Sequence, residues 1–485
     1  MHQQNLREER RLGRGAKRAL EGGESLRFVM SVAEGDLAGD RPPAGVQGAL
    51  EEVGQGHVTE HWPGLSADER KGLLEQIAGI DLGALRRQVE ESTRARGGGG
   101  GGDVGPVHTP APVSEDQVLS RANLDAASRK YLVSKGLRLI AEGKVGVVVL
   151  AGGQGTRLGT KLPKGCVDIR LPSKKTLFQI QSERILSLQK IAAEATHGEG
   201  ARVRNRIRWY IMLSDATRAY TETYFEKNAF FGLDRDQIFF FNQGKLPCLS
   251  EAGKVLMASR AQIAMSPDGN GGIYKALADS GCLDDMASAG IESLDCYCVD
   301  NLLAKIADPL LVGYCHAFGA DVGCRTLAKS GPNERVGVFV KKGRGVGVVE
   351  YSELDPKMSA KVANESTGAL YYNWSNICMQ YYSRAFLSRV CAGGGGADLE
   401  YHVAVKRIPT IDGEVTGLKM EQFIFDVFPS AEACCLLEVR RECEFAPIKS
   451  EFETAGKALL ALERRWEEDE AGVGFDEWFY LSSSL

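Results

Sequence analysis

The sequence predicts an α/β protein built on a doubly wound, mostly parallel sheet. Three observations carry that reading. Strand-like apolar runs at Val145–Leu150, Arg208–Leu213, 238–241 and 294–299 alternate with helical patterns, and strands separated by helices pair in parallel under a helical cover. The pattern over 176–195 places Phe178, Ile185, Leu188 and Ala192 on one face, the stripe that a sheet-covering helix needs. The run 145–150 ends in a glycine-rich turn, and Asp300 directly follows another apolar run. Open α/β sheets bind ligands at the carboxyl ends of strands where the strand order switches, so both features are expected on one edge.

The flanking segments follow in order. Residues 1–46 are charged and glycine-rich with little periodicity, and are read as disordered. Residues 47–96 form an N-terminal helical segment. Within it, Ser66 and Glu69 have capping-box spacing, and Leu73, Leu74, Ile77, Ile80 and Leu85 recur at helical spacing across 66–92. Residues 97–113, with six consecutive glycines and then prolines, read as a linker. A second helical region is expected over 115–142. The core spans 114–430, with a more β-rich stretch at 336–439, and 431–485 is a shortened C-terminal region.

Bulk properties narrow the classes. A chain of 485 residues with 43% hydrophobic content has ample material for a large core. A net charge of −5 excludes a general nucleic-acid binder, so positive charge at any phosphate site is local. No apolar run reaches membrane-spanning length. Twelve cysteines lack paired CxxC units, which excludes a zinc site of that type. With no secretory signal, they read as free thiols in a reducing, cytoplasmic compartment. The arginine-rich start also carries Glu8, Glu9, Glu21 and Glu24, unlike a transit peptide.

Residues 145–165 read VGVVVLAGGQGTRLGTKLPKG. Glycines let the backbone approach a ligand, and their N–H groups line an anion site. Arg157 and Lys164 add fixed positive charge. This is the layout of a nucleoside-triphosphate site. It is no P-loop, and Gly153, Gly155 and Gly159 are spaced GxGxxxG, with Leu158 where a dinucleotide fingerprint has its third glycine. The string LxxGGxGTRLG…PK resembles the signature of nucleotidyltransferases that make nucleotide sugars.

Further strings extend the likeness: LPSKKTLFQIQ (171–181), FNQGKLP (241–247), MSPDGNGG (265–272), YCVDN (297–301), VEYSE (349–353), GLKMEQFIFDVF (417–428) and EFAPIK (444–449). In this order they closely resemble the eukaryotic UDP-N-acetylhexosamine pyrophosphorylases, from about His57 to about Trp466. DGNGG and CVDN favour the UDP-N-acetylglucosamine branch over the UDP-glucose enzymes.

The resemblance implies a sheet of the nucleotide-diphospho-sugar transferase type. It implies UTP and an N-acetylhexosamine 1-phosphate as substrates, Mg2+ as cofactor, and a monomer or homodimer. Leu150, Ala151, Gly152 and Gly153 match the loop that meets uridine, with Gly155 close to the phosphates. Arg157 and Lys164 match the basic residues at the triphosphate. Gln243, Pro267 and Gly269 match positions around the uracil. Asn270, Gly337, Glu350, Tyr351 and Asn376 match the sugar pocket, and Phe423 and Phe425 the aromatics near the N-acetyl group. Lys449 matches a lysine that reaches a phosphate, and Asp300 the metal ligand. The likeness fades after Trp466, where the family continues into a small β-rich domain. Asn376 sits in WSN where the family has AGN.

Overall fold

The structure, a computed structural model, describes residues 39–97, 110–168, 173–343, 345–392 and 399–448. The chain divides into two compact units. One comprises Met1–Val107, Gly244–Gly271 and Leu399–Phe423, and the other His108–Gln243, Gly272–Asp398 and Ile424–Leu485.

The second unit holds a ten-stranded sheet. Its strands are β1 (Val118–Ser120), β2 (Val145–Leu150), β3 (Arg208–Leu213), β4 (Ile238–Asn242), β5 (Ser293–Cys298), β6 (Val322–Ala328), β7 (Val338–Lys342), β8 (Gly345–Val349), β9 (Trp374–Ser383) and β10 (Cys434–Glu438). Their spatial order is β1-β10-β6-β9-β5-β2-β3-β4, with β7 paired to β8 and β9. β5, β2, β3 and β4 are parallel, as are β6, β10 and β1. Only β9 runs against both neighbours within that row. From β2 the chain builds β3 and β4 on one side, then crosses to lay β5 on the other. The strand order switches between β2 and β5, and with Leu150 registered against Cys298 the glycine turn and Asp300 leave the same sheet edge, as the sequence predicts.

Helices cover both faces: α1 (Ala126–Ala141), α2 (Leu177–His197), α3 (Asp215–Lys227), α4 (Ile273–Asp279), α5 (Cys282–Ser288), α6 (Pro309–Ala317) and α7 (Arg384–Ala392). On one face Val145, Val147 and Val149 pack with Leu137 and Ile140 of α1, Phe178, Ile185 and Leu188 of α2, and Leu310 of α6. On the other, the Tyr274 hydroxyl of α4 lies 3.0 Å from that of Tyr382, and Tyr210 donates to Asp285 of α5 at 2.6 Å. Burial on both faces explains why β2 reads as an unbroken apolar run.

The other unit joins helices Ala44–Glu52, Ala67–Ala78 and Leu82–Gly97 to short strands from 245–267 and a hairpin, His402–Thr410 with Gly413–Glu421. Trp62, Leu73, Leu74, Ile77 and Leu85 share a core with Leu249, Ile263, Leu418 and Met420. Buried Gln55 donates to Gly253 O at 2.9 Å and accepts from Val255 N at 2.8 Å.

Several boundaries differ from expectation. The capping box forms at Ser66, with Ser66 N donating to Glu69 at 2.8 Å and Glu69 N donating to Ser66 Oγ at 3.3 Å. The pattern over 66–92 nevertheless splits into two helices, because Gly79 ends the first and Asp81 caps the second through Ala84 N at 2.9 Å. A helix already begins at Ala44, inside the stretch read as disordered, and buries Val46, Ala49 and Leu50. Over 115–142 only Ala126–Ala141 is α-helical, capped by Asp125, and β1 precedes it. Linker residues 98–109 lie outside the described residues, but its far end packs: Lys341 N donates to Ala111 O at 2.7 Å and Tyr372 to Pro110 O at 2.6 Å. Strand 434–438 is inserted into the main sheet between β1 and β6. Residues 449–485 lie outside the described residues.

Candidate active site

The glycine turn leaves β2 at the switch point. Leu150 is registered against Met212 and Cys298, and Ala151 N continues the ladder to Met212 O at 2.8 Å. Ser214 Oγ donates to Gly152 O at 2.8 Å. A Cβ on Gly152 would sit 2.9 Å from Gln243 Cδ, so the backbone lies directly against that amide. The structure thus brings together Gly152 and Gln243, ninety-one positions apart. Gly155 N donates to Leu162 O at 2.8 Å and Lys164 N to Gly153 O at 3.0 Å, which folds the turn on itself. Gly153 is different: a Cβ there meets nothing within 4 Å, and its φ lies outside the left-handed range. Nothing among the described residues requires a glycine at 153.

Arg157 is exposed, in a 3-10 turn that Gly159 closes at φ 73°. It makes no hydrogen bond or ion pair among the described residues. Lys164 Nζ lies 3.3 Å from Asp300 Oδ2, both side chains being 20% exposed. Asp300 follows β5, and α2 supports that turn from below. Gln181 accepts from Tyr297 at 3.0 Å and donates to Val299 O at 3.4 Å, while Arg184 donates to Leu302 O at 2.8 Å. Leu177 and Ile180 of α2 pack with Leu302, Leu303 and Ile448, with Leu158 of the glycine turn against them.

A second group forms on the same sheet edge. Because β9 runs against β5 and β6, its first residues lie at their carboxyl ends. Asn376 N donates to Gly337 O at 2.8 Å, and Asn376 Oδ1 accepts from Cys378 N at 3.1 Å. Its Nδ2 is buried without a partner among the described residues, a costly state for an amide unless something else supplies an acceptor. A Cβ on Gly337 would sit 3.0 Å from Glu350 Oε1, so Gly337, Glu350 and Asn376 are neighbours. Tyr351 is 49% exposed and Phe425 is buried.

In the smaller unit, Pro267 ends a strand paired to Lys245. Gly269 adopts φ 87°, and Gln422 N and O bond Asp268 O and Gly271 N, each at 2.8 Å. Asn270 opens the short turn that follows. Phe423 stacks on His402 with ring centroids 4.1 Å apart. Lys449 lies outside the described residues. Its predecessor Ile448 donates its N–H to Asp300 O at 2.9 Å. Sequence reading gave no role to Ser214, Gln181 or Asn301. Gln181 and Asn301 both sit inside quoted motifs, and that position was their only signal.

A glycine turn with two cations at the switch point of a doubly wound sheet defines a nucleotidyltransferase type of α/β protein. Residues 107–474 match the family described as UTP--glucose-1-phosphate uridylyltransferase, and the chain belongs to that family. It is 44% identical to UDP-N-acetylglucosamine diphosphorylase 2 of Arabidopsis thaliana, over 86% of this chain and 83% of that protein. It is 36% identical to UDP-N-acetylglucosamine pyrophosphorylase of Saccharomyces cerevisiae, over 87% and 90%. The crystal structure of the uridine diphosphate N-acetylglucosamine pyrophosphorylase from Trypanosoma brucei, in complex with inhibitor, superposes with a TM-score of 0.78 at 32% identity, over 88% of this chain and 87% of that one.

Proposed function

We propose that this chain transfers the uridylyl group of UTP to N-acetylglucosamine 1-phosphate, giving UDP-N-acetylglucosamine and pyrophosphate. The observation that carries the reading is the turn 151–165, with exposed Arg157, Lys164 facing Asp300, and Gly153 open to a ligand. A phosphate oxygen of the sugar 1-phosphate attacks the α-phosphorus of UTP, a new P–O bond forms, and the bond to the bridging oxygen breaks as pyrophosphate leaves. The attacking oxygen is already ionised at neutral pH, so no general base is needed. The protein's work is positioning and neutralising charge. Arg157 and Lys164 stabilise the charge that builds on pyrophosphate, worth about 3 kcal/mol for one preorganised contact.

Gly152 and Gln243 hold the uracil side, with Leu150, Ala151 and Gly155 shaping the turn; in the smaller unit Pro267 and Gly269 carry the same assignment. Gly337, Glu350, Tyr351 and Asn376 serve the sugar, and the unpaired Nδ2 of Asn376 suits a sugar oxygen. Asn270, Phe423 and Phe425 keep the sugar and N-acetyl roles, and Lys449 the phosphate role, that the family resemblance gives them.

No group of three or more His, Cys, Asp or Glu side chains poised to hold a metal occurs among the described residues. A cation here would have Asp300 and substrate oxygens as donors, an all-oxygen set that fits Mg2+. Bound there, Mg2+ would neutralise phosphate charge. Lys164 Nζ lies 3.3 Å from Oδ2 of the same carboxylate.

The test is release of pyrophosphate from UTP, Mg2+ and N-acetylglucosamine 1-phosphate by the full chain. Turnover with glucose 1-phosphate and none with the N-acetyl sugar overturns the substrate assignment. Tight UDP-N-acetylglucosamine binding without any pyrophosphate release overturns catalysis.

A further inference from the structure

Beside Asp300 lies a seam that the reaction itself does not explain. Residues 300–302 pair with 446–448 like two strands. Ile448 N donates to Asp300 O at 2.9 Å, Leu302 N to Ala446 O at 3.2 Å, and Asn301 bridges Pro447. The Asn301 side chain, almost fully buried, closes the same seam a second time. Its Nδ2 donates to Glu444 O at 2.8 Å, and its Oδ1 accepts from Ala446 N at 2.9 Å and Leu303 N at 3.3 Å. Glu444 is fixed in turn from its other end. Its carboxylate meets Arg121 at 3.2 Å, Lys305 at 3.6 Å and Arg325 at 3.8 Å.

We propose that Asn301 is a positioning residue for uridylyl transfer, setting the Asp300 carboxylate and residues 446–448 in one fixed relation. The inference rests on the role given above to Asp300. Its physical basis is directness. Asn301 adjoins Asp300 covalently, and its amide satisfies one carbonyl and two N–H groups that a smaller side chain would leave buried and unpaired. Loss of those bonds frees Asp300 to rotate away from Lys164, and frees 446–448 to shift with it. Substitution of residues one step removed from a metal-ligating group typically changes affinity or activity by about 10- to 100-fold.

The experiment compares the full chain with Asn301→Ala, Asn301→Asp and Asp300→Asn. Each is assayed for kcat, for KM of UTP and for the Mg2+ concentration giving half-maximal rate. Mn2+ binding to the UTP-loaded protein is followed separately by electron paramagnetic resonance. Asn301→Ala is expected to lower kcat by about 10- to 100-fold, raise the Mg2+ midpoint and weaken Mn2+ binding, with KM for UTP changed less than threefold. Asn301→Asp keeps the shape and both acceptor bonds but sets an oxygen against Glu444 O in place of the donor, so it is the second variant to read if Asn301→Ala does not fold, and it too is expected to lower kcat and raise the Mg2+ midpoint. A folded Asn301→Asp protein with a lowered melting temperature but the parent's kcat, Mg2+ midpoint and Mn2+ affinity overturns the proposal. The two failures are distinguishable: an Asp300→Asn protein with the parent's Mg2+ and Mn2+ behaviour overturns the metal reading, whereas impairment of Asp300→Asn alone overturns the role of Asn301.

Discussion

The glycine turn and the seam beside Asp300 face the same sheet edge but are held in opposite ways. Turn 151–165 is closed by short-range backbone bonds, Gly155 to Leu162 and Lys164 to Gly153, and it leaves Arg157 and Gly153 exposed. The seam joins residues 143 to 148 positions apart through backbone bonds and the buried Asn301 side chain. One region leaves side chains and backbone open to solvent, and the other ties distant parts of the chain together inside the protein. Substitutions in the turn should cost activity at constant stability, while substitutions in the seam should cost both.

The strongest way to break that contrast is Glu444→Ala. Removing its carboxylate leaves Arg121, Lys305 and Arg325 short of a buried partner, which costs about 3–5 kcal/mol. The urea midpoint of the full chain should fall steeply, and an unchanged midpoint would dissolve the distinction. Arg157→Ala comes next, with kcat reduced by about 10²-fold, or ~3 kcal/mol. Its melting temperature and UDP-sugar binding should stay near the parent's; equal losses of stability and rate would make Arg157 structural.

A finer probe is Gly153→Ala. The new methyl meets nothing within 4 Å, so stability should change by less than about 0.5 kcal/mol. If UTP lies against that backbone, its KM should rise by about tenfold, ~1.4 kcal/mol. A parent-like KM would remove the reason for a glycine there.

The last probe is a pH slope. Asp295 and Asp308 belong to the same buried ion cluster yet are displaced oppositely. Burial pushes the Asp295 carboxyl up to about 6, more than Arg325 pulls it down. For Asp308, burial is outweighed by Arg121, Arg325 and Lys305, which hold it below the usual range. Between about pH 4, where an unfolded aspartate ionises, and pH 6, folded Asp295 keeps a proton that the unfolded chain has lost. Its contribution to stability therefore falls as pH rises through that window and is level above it. Asp295→Asn should differ from the parent by an amount that varies between pH 4 and 6 and is constant above 7. Urea melts across that range that give a constant difference would contradict the assignment.

Much of the turn was legible because its signal is local. Val145–Leu150 is apolar throughout, glycines follow it, and Arg157 and Lys164 lie within fifteen residues. Asp300 was legible for the same reason, at the end of β5. The seam was not, since the Asn301 side chain bonds residues 444 and 446, far along the chain, and no periodicity reports such a partner. The smaller unit hid itself similarly. The amphipathic helices 67–97 announce an apolar face, but what covers it comes from 244–271 and 399–423. Gln55, bonded to Gly253 198 positions away, looks like any surface glutamine in the sequence.

The placement of β10 carries a consequence for synthesis. A nascent chain that has emerged as far as residue 430 already contains the glycine turn, Asp300 and Asn376. It lacks the strand that belongs between β1 and β6, and it lacks Glu444. Until that strand arrives, β6 and β1 present open edges to other chains, and Arg121 and Arg325 await one of their carboxylates. Domains form as the ribosome releases them, so the glycine turn is made early and the strand that completes its sheet is seated late. Pausing in the codons for 431–448 should lengthen the interval in which this half-built sheet depends on chaperones.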